Sequence, residues 1–309
     1  MGISKLTKTF AGRPVRGFDP DAKPSRANCV YRIAVEFEDD EQTFPDLLDA
    51  FLTAHGGPGL TALVVGSWDS DSPLDSSTEV VESLIGARGR MPNLTALFLG
   101  DVTAEECEIS WMGHGDLSPL LPAFPKLEEF RIRGTSDLTF GTLKHANLKS
   151  LAVESGGLPA ELIDEVAAAK LPKLEHLELW LGTSNYGGIN TVAPLKKLLA
   201  GKKFPHLSYL GLKNSAIADA VAAAVAKSPL LDRLDTLDLS LGNLSDDGAK
   251  ALIAAPAVKK LKKLDLNHHY ISDPVLRELR KLKVKLDVRD RKKEDRYDDE
   301  VYRYITASE

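Results

Sequence analysis

Cysteine is nearly absent from this chain. Cys29 and Cys107 stand 78 positions apart, with no C-x-x-C pair and no closely spaced framework. That excludes a disulfide scaffold and a cysteine-built metal site, and two reduced thiols are expected. A basic excess is also missing. The 39 Lys and Arg face 45 Asp and Glu, for a formal net charge of -6 and a pI near 5.7. No chain-wide positive field exists to attract nucleic acid or anionic lipid, so neither is expected as a partner. Long apolar runs are lacking too. No window approaches 18 uninterrupted apolar residues, and Met1 to Arg16 carries Lys5, Lys8, Arg13 and Arg16 without a signal-peptide core. A membrane span and secretion are therefore not expected, and a cytoplasmic location is. Leu6 breaks the myristoylation pattern that Gly2 would open. No H-E-x-x-H, G-x-S-x-G, Walker A or G-x-G-x-x-G motif occurs, and no cofactor is expected.

What the sequence has instead is repetition. Leu174, Leu177 and Leu179 form an L-x-x-L-x-L strand pattern ending in Trp180. The same three positions recur as Leu60/Leu63/Val65, Leu94/Leu97/Leu99, Leu127/Phe130/Ile132, Leu148/Leu151/Val153, Leu207/Leu210/Leu212, Leu234/Leu237/Leu239 and Leu261/Leu264/Leu266. From Leu60 to Leu261 the mean period is about 29 residues, the long end of the leucine-rich-repeat range, with room for a helix in each repeat. An earlier copy is read at Val30, Ile33 and Val35. The expected fold is α/β, a leucine-rich-repeat solenoid with a curved parallel sheet on the concave face and helices on the convex face.

Helices are legible between the strands. Phe44, Leu47, Leu48 and Phe51 share one face of a helix from Thr43 to about Ala54, with Gly56 as its stop. Ser76 to Glu79 reads as a capping box before Val80, Val81 and Leu84. Pro159 to Lys170 and Ala216 to Lys227 read as alanine-rich helices, and Asp273 with Pro274 as an N-cap and first turn. Residues 1–29, punctuated by Gly12, Pro14, Gly17, Pro20 and Pro24, are expected to cap the first repeat. The repeat domain then spans 30–288. Residues 289–309 form a charged C-terminal cap or tail, with Val301, Tyr302, Tyr304 and Ile305 as its apolar members.

Glu105–Trp111 (EECEISW), Asp116–Leu121 (DLSPLL), Glu154–Leu158 (ESGGL), Leu174–Gly182 (LEHLELWLG), Tyr186–Gly188 (YGG), Leu237–Ala249 (LDLSLGNLSDDGA) and Leu264–Ser272 (LDLNHHYIS) resemble a bacterial family of cytoplasmic leucine-rich-repeat proteins. Its strand-helix alternation is similar to that of the ribonuclease-inhibitor class. The resemblance implies fold and compartment and assigns no activity. One departure from the usual repeat stands out. Where Asn or Cys would form a ladder after the last leucine, this chain has Trp68, Val102, Thr135, Gly156, Gly182, Ser215, Gly242 and His269. A less regular coil is expected.

With the leucines inward, the intervening residues line the other strand face. Its early part is small and apolar, with Ala62, Val64, Ala96 and Phe98; then come Arg131 and Arg133, followed by His176, Glu178, Trp180, Tyr209, Asp238 and Asp265. The sharper expectation is a groove for a protein or peptide, aromatics anchoring and carboxylates choosing a basic partner. The plainer one is a solvated sheet face. His268 and His269 point to opposite faces of an extended chain and are expected to be structural at the strand exit rather than to hold metal. Glu105, Glu106, Glu108, His114 and Asp116 surround Trp111 in an insertion, but no nucleophile or phosphate loop completes a catalytic set. The functional expectation is a non-catalytic binding scaffold. An accessory subunit presenting a substrate to a separate enzyme is second, and a hydrolase using the Glu105–Asp116 insertion is third.

Overall fold

Period-2 strands whose leucines must be hidden, joined by helices too short to stand alone, have one economical solution: each repeat stacks on the next. The computed structural model shows this arrangement. It describes residues 2–22, 28–36, 42–70, 74–298 and 300–309. Pro24 of the N-terminal preface lies outside them. The chain divides into two compact units, one of Gly2–Val153 with Ala169–Lys173, the other of Glu154–Ala168 with Leu174–Ser308.

In the N-terminal unit β1 (Thr9–Phe10) and β2 (Arg13–Gly17) form an antiparallel hairpin. β2 then pairs in parallel with β3 (Val30–Ile33), which leads to β4 (Ala62–Val65), β5 (Ala96–Leu99), β6 (Glu129–Arg133) and β7 (Ser150–Glu154) in chain order. Helices α1 (Phe44–His55), α2 (Thr78–Gly86) and α3 (Leu120–Ala123) fall between strands. Leu63 pairs with Leu97 and Leu97 with Phe130, all fully buried, so the leucine alignment is the observed register here. At roughly 1.5 to 3 kcal/mol per buried side chain, these rows supply the main attraction between repeats.

The earliest repeat departs from the expected alignment. Ile33 pairs with Val65 rather than Leu63, a shift of two residues. Strand parity explains the consequence: Val30 shares a face with Ala62 and Val64, opposite the leucine rows. There it packs beneath Phe10 of the hairpin, together with Ala96 and Phe98. The small apolar face read as open is thus sealed, with Val64 and Phe98 fully buried.

The C-terminal unit carries α4 (Ala160–Ala168), β8 (His176–Gly182), α5 (Lys196–Leu199), β9 (Tyr209–Ser215), α6 (Ala218–Ala226), β10 (Thr236–Asp238), α7 (Asp246–Ala254), β11 (Lys263–Asp265), α8 (Asp273–Leu279) and β12 (Lys285–Asp287). Leu177, Leu210, Leu237, Leu264 and Leu286 run across β8 to β12 in one parallel row. A separate antiparallel hairpin follows, β13 (Asp295–Tyr297) and β14 (Glu300–Tyr302). No helix among the described residues is long and apolar enough to cross a membrane.

Helix starts show where local rules yield to packing. Thr43 caps α1 as its sequence suggests, accepting from the Asp46 N–H at 3.3 Å. Ser77 at the start of α2 makes no such cap, because its hydroxyl is taken by His114. The start of α8 lies one residue earlier than read, at Ser272, whose N–H and hydroxyl both donate to Asp246 at 2.7 Å. Ser245 donates in the same way to Asp219 one repeat before. This aspartate-to-serine ladder between helix starts does the stitching that an asparagine ladder does elsewhere in repeats.

Candidate functional site

Four neighbouring strands of the C-terminal unit bring one polar cluster together. β8 presents His176, Glu178 and Trp180; β9 presents Tyr209 and Lys213; β10 presents Asp238; β11 presents Asp265. Alternation along each strand puts these side chains on the face opposite the leucines. Gly211 makes room for the cluster, since a side chain there would press on the Tyr209 ring and the Glu178 stem at 3.1 to 3.3 Å.

Glu178 is the hub. Its carboxylate accepts from the Trp180 indole at 2.7 Å, from Lys213 Nζ at 3.1 Å and from the Tyr209 hydroxyl at 3.2 Å, with His176 Nε2 at 3.8 Å. The Tyr209 hydroxyl also donates to Asp238 at 2.7 Å, and Asp238 accepts the Ser240 N–H at 2.9 Å. Lys213 lies 5.3 Å from the centre of the Trp180 ring, a cation-π distance. His176 stacks on Tyr209 with ring centres 3.8 Å apart and planes 9° from parallel. Asp265 is paired separately with Lys263 at 2.7 Å and the Asn267 N–H.

The electrostatics follow from these contacts. Burial alone would raise the Glu178 carboxyl, but the bonds from His176, Lys213 and Trp180 and the Lys213 charge hold it well below the usual carboxylate range. Burial would lower Lys213, and the Glu178 and Asp238 charges more than reverse that, so it stays an ammonium. Burial and those same two carboxylates push the Tyr209 phenol far above its ordinary value. None of these three groups is set to exchange a proton near neutrality. The cluster is a rigid, charged platform.

This placement changes the roles read from sequence. Trp180 is only 8% exposed and Asp238 only 6%, so neither is an open anchor or a free carboxylate waiting for a basic partner. Glu178 on the same strand has already satisfied the Trp180 indole, and Tyr209 on the neighbouring strand has satisfied Asp238. Half-buried His176, at 35% side-chain exposure, and the stacked Tyr209 are what the cluster shows outward.

Arg131 and Arg133 belong to the N-terminal unit and both lie over the Phe98 ring, at 4.4 and 5.3 Å. Arg133 is buried, donates to the Val102 carbonyl and approaches Asp101 at 3.5 Å. It is a fixture of the sheet face. Arg32 bridges the same Asp101 and Glu106, its guanidinium lying flat over Gly66.

In the insertion, Glu106 accepts from the Thr103 N–H at 2.7 Å and from Arg32 at 2.9 Å, forming a single turn instead of a helix start. Asp116 accepts from Ser118. His114 is wholly buried between the Ser77 hydroxyl and the Arg133 carbonyl, and burial pushes its imidazole down to about 4. Trp111 is 54% exposed. Glu106, Asp116 and His114 are therefore committed to structural bonds. His268 and His269 bond backbone carbonyls of Gly242 and Val288, and burial lowers both imidazoles.

No protein-family model matches the chain, and no curated protein matches it. Among solved structures, it is similar to a protein from Bacteroides fragilis known from its crystal structure. The two are 31% identical over 89% of this chain and 76% of that one, with a TM-score of 0.79. The chain belongs to the family of that Bacteroides protein. An internalin from Listeria monocytogenes aligns over 85% of this chain and 61% of its own, at 16% identity and a TM-score of 0.37.

For this family member, strand parity puts Lys213 on the same face as Tyr209 and Gly211, but it was not counted among the site residues, although it pairs with both Glu178 and Asp238. Asn214, on the opposite parity, was also missed, and no local pattern marks it.

Proposed function

We propose that this protein is a non-catalytic scaffold that binds a protein or peptide on the strand face of its C-terminal unit. His176 and Tyr209 form the contact surface; Glu178, Trp180 and Asp238 form the bonded bed beside it, and Asp265 extends the same face one strand further. The observation that carries this reading is the stacked His176–Tyr209 pair, fixed from below by Glu178 and Asp238. Rigid aromatic platforms lose little entropy on binding and dominate interface energetics. The resting states of Glu178, Lys213 and Tyr209 argue the same way, since a site for acid-base chemistry needs groups poised near the working pH. Arg131 enters as a second, separate contact on the N-terminal unit; Arg133, buried beside it, can only support it from within.

An accessory subunit presenting a substrate would use the same face, and differs only in that its partner is processed by another enzyme. A hydrolase built on the Glu105–Asp116 insertion would need to free Glu106 and Asp116 from their present bonds. The test is affinity capture from the native host with wild type and His176→Ala. We expect a stoichiometric partner whose affinity falls at least about tenfold in the variant while its melting temperature stays close to wild type. Equal affinity for both proteins would sink the reading.

A further inference from the structure

The last residues of the chain form an extended segment in the C-terminal unit, laid against the loops that leave β9, β10 and β11. The Tyr304 N–H donates to the Tyr270 hydroxyl at 2.8 Å, and that hydroxyl donates to the Tyr304 carbonyl at 3.0 Å. The Thr306 N–H donates to the Leu241 carbonyl at 2.9 Å. The Asn214 side chain then grips one residue by both of its backbone groups, its oxygen accepting from the Ala307 N–H at 3.0 Å and its nitrogen donating to the Ala307 carbonyl. Exposure alternates as in a half-buried strand: Tyr304 47%, Ile305 6%, Ala307 0%.

Backbone capture of this kind, with pockets for alternate side chains, is how receptors hold an extended peptide. Asn214 is wholly buried, and its φ of +53° is repeated at Leu241 and His268, the matching strand exits of the next two repeats, so this turn belongs to the coil. One feature suits a receptor better than a permanent seam. The Thr306 hydroxyl is buried with no hydrogen-bond partner among the described residues. A buried hydroxyl left without a partner is unfavourable, so the tail satisfies the groove incompletely. The contact is also short, and few backbone bonds must break to open it.

We propose that this groove is a docking site for an extended segment of a partner protein, and that residues 304–308 occupy it in cis. The preferred segment carries an aliphatic side chain at the Ile305 position and a residue as small as alanine two places later. An apolar residue replaces Thr306 between them. This site uses the strand exits rather than the strand face, so it stands or falls independently of the reading above.

The probe is a fluorescein-labelled peptide with the sequence of residues 302–309, titrated against the full chain carrying Ala307→Arg, which cannot seat its own tail. We expect it to bind this variant at least about a hundredfold more tightly than wild type, whose tethered tail competes at millimolar effective concentration. Binding should vanish when Asn214→Ala is added, and a peptide with valine at the Thr306 position should bind more tightly still. A folded Ala307→Arg protein that ignores both peptides overturns the proposal. Should that variant fail to fold, hydrogen exchange of the wild-type chain decides. Thr306 and Ala307 amides exchanging at least about tenfold faster than those of Leu210 and Leu237 support an opening tail. Exchange at the same rate as those core strands overturns it.

Discussion

The same strand positions are solved in two ways in the two units. In the N-terminal unit the face opposite the leucines is apolar at Ala62, Val64, Ala96 and Phe98, and the β1–β2 hairpin closes it with Phe10. In the C-terminal unit the corresponding face is built from Glu178, Tyr209, Lys213 and Asp238, which pair with one another. An apolar face must be covered by something; a polar face can remain accessible if its charges are internally satisfied. That difference is the reason the proposed contact surface is the strand face of the C-terminal unit. Both units also hold a terminal segment by one buried polar side chain near a strand exit: Asp101 accepts the Thr7 N–H, and Asn214 grips Ala307.

Uncovering the sealed face is the harshest way to break this contrast. Phe10→Ala removes a ring packed 5.9 Å from Phe98, and by the usual cost of truncating a buried Phe it should lose about 3 to 5 kcal/mol. Urea unfolding would measure the loss, with new binding of an apolar dye as its companion sign. An effect below about 1 kcal/mol would mean that the hairpin is not a cover.

Acid should act next most strongly, through His114. Its folded value of about 4 lies below the 6.5 of the free imidazole, so the unfolded chain binds the extra proton between those values. The stabilisation is present above pH 6.5 and drains as pH falls toward 4, by roughly 3 kcal/mol in all. His268 and His269 are shifted the same way in the C-terminal unit. Unfolding midpoints flat from pH 7 to pH 5 would contradict this, since Glu178, held below its ordinary 4.5, adds no pH dependence above that range.

The smallest of the three effects tests the polar solution. Lys213→Met leaves the Glu178 and Asp238 carboxylates without their ammonium partner, and by the cost of losing a charged hydrogen bond should destabilise by about 2 kcal/mol. The Glu178 carboxyl should rise toward the ordinary range, which NMR titration would report. An unmoved carboxyl would show that Trp180 and His176 suffice.

The leucine rows were readable because a strand's side chains alternate, and a one-residue slip would expose every leucine at once. That constraint is local, so Leu177 and Leu210 fell into their observed register from spacing alone. It was weakest at Val30, where the pattern matched but the opposite face was the buried one. The same alternation placed His176, Glu178, Trp180, Tyr209, Asp238 and Asp265 on one face. It could not say that Trp180 would be buried with Lys213 at its ring, or that Glu178 would meet so many donors.

What the sequence determined by itself, then, is the repeat, the register across β4 to β6 and across β8 to β11, and the parity of each face, all consequences of backbone geometry over a few residues. What only the tertiary structure decided is which polar groups neutralise one another, where Phe10 comes to rest and that Asn214 holds Ala307. The contacts made between strands join residues 25 to 93 positions apart, and they depend on distances between strands and on the path of the chain, which no local periodicity encodes.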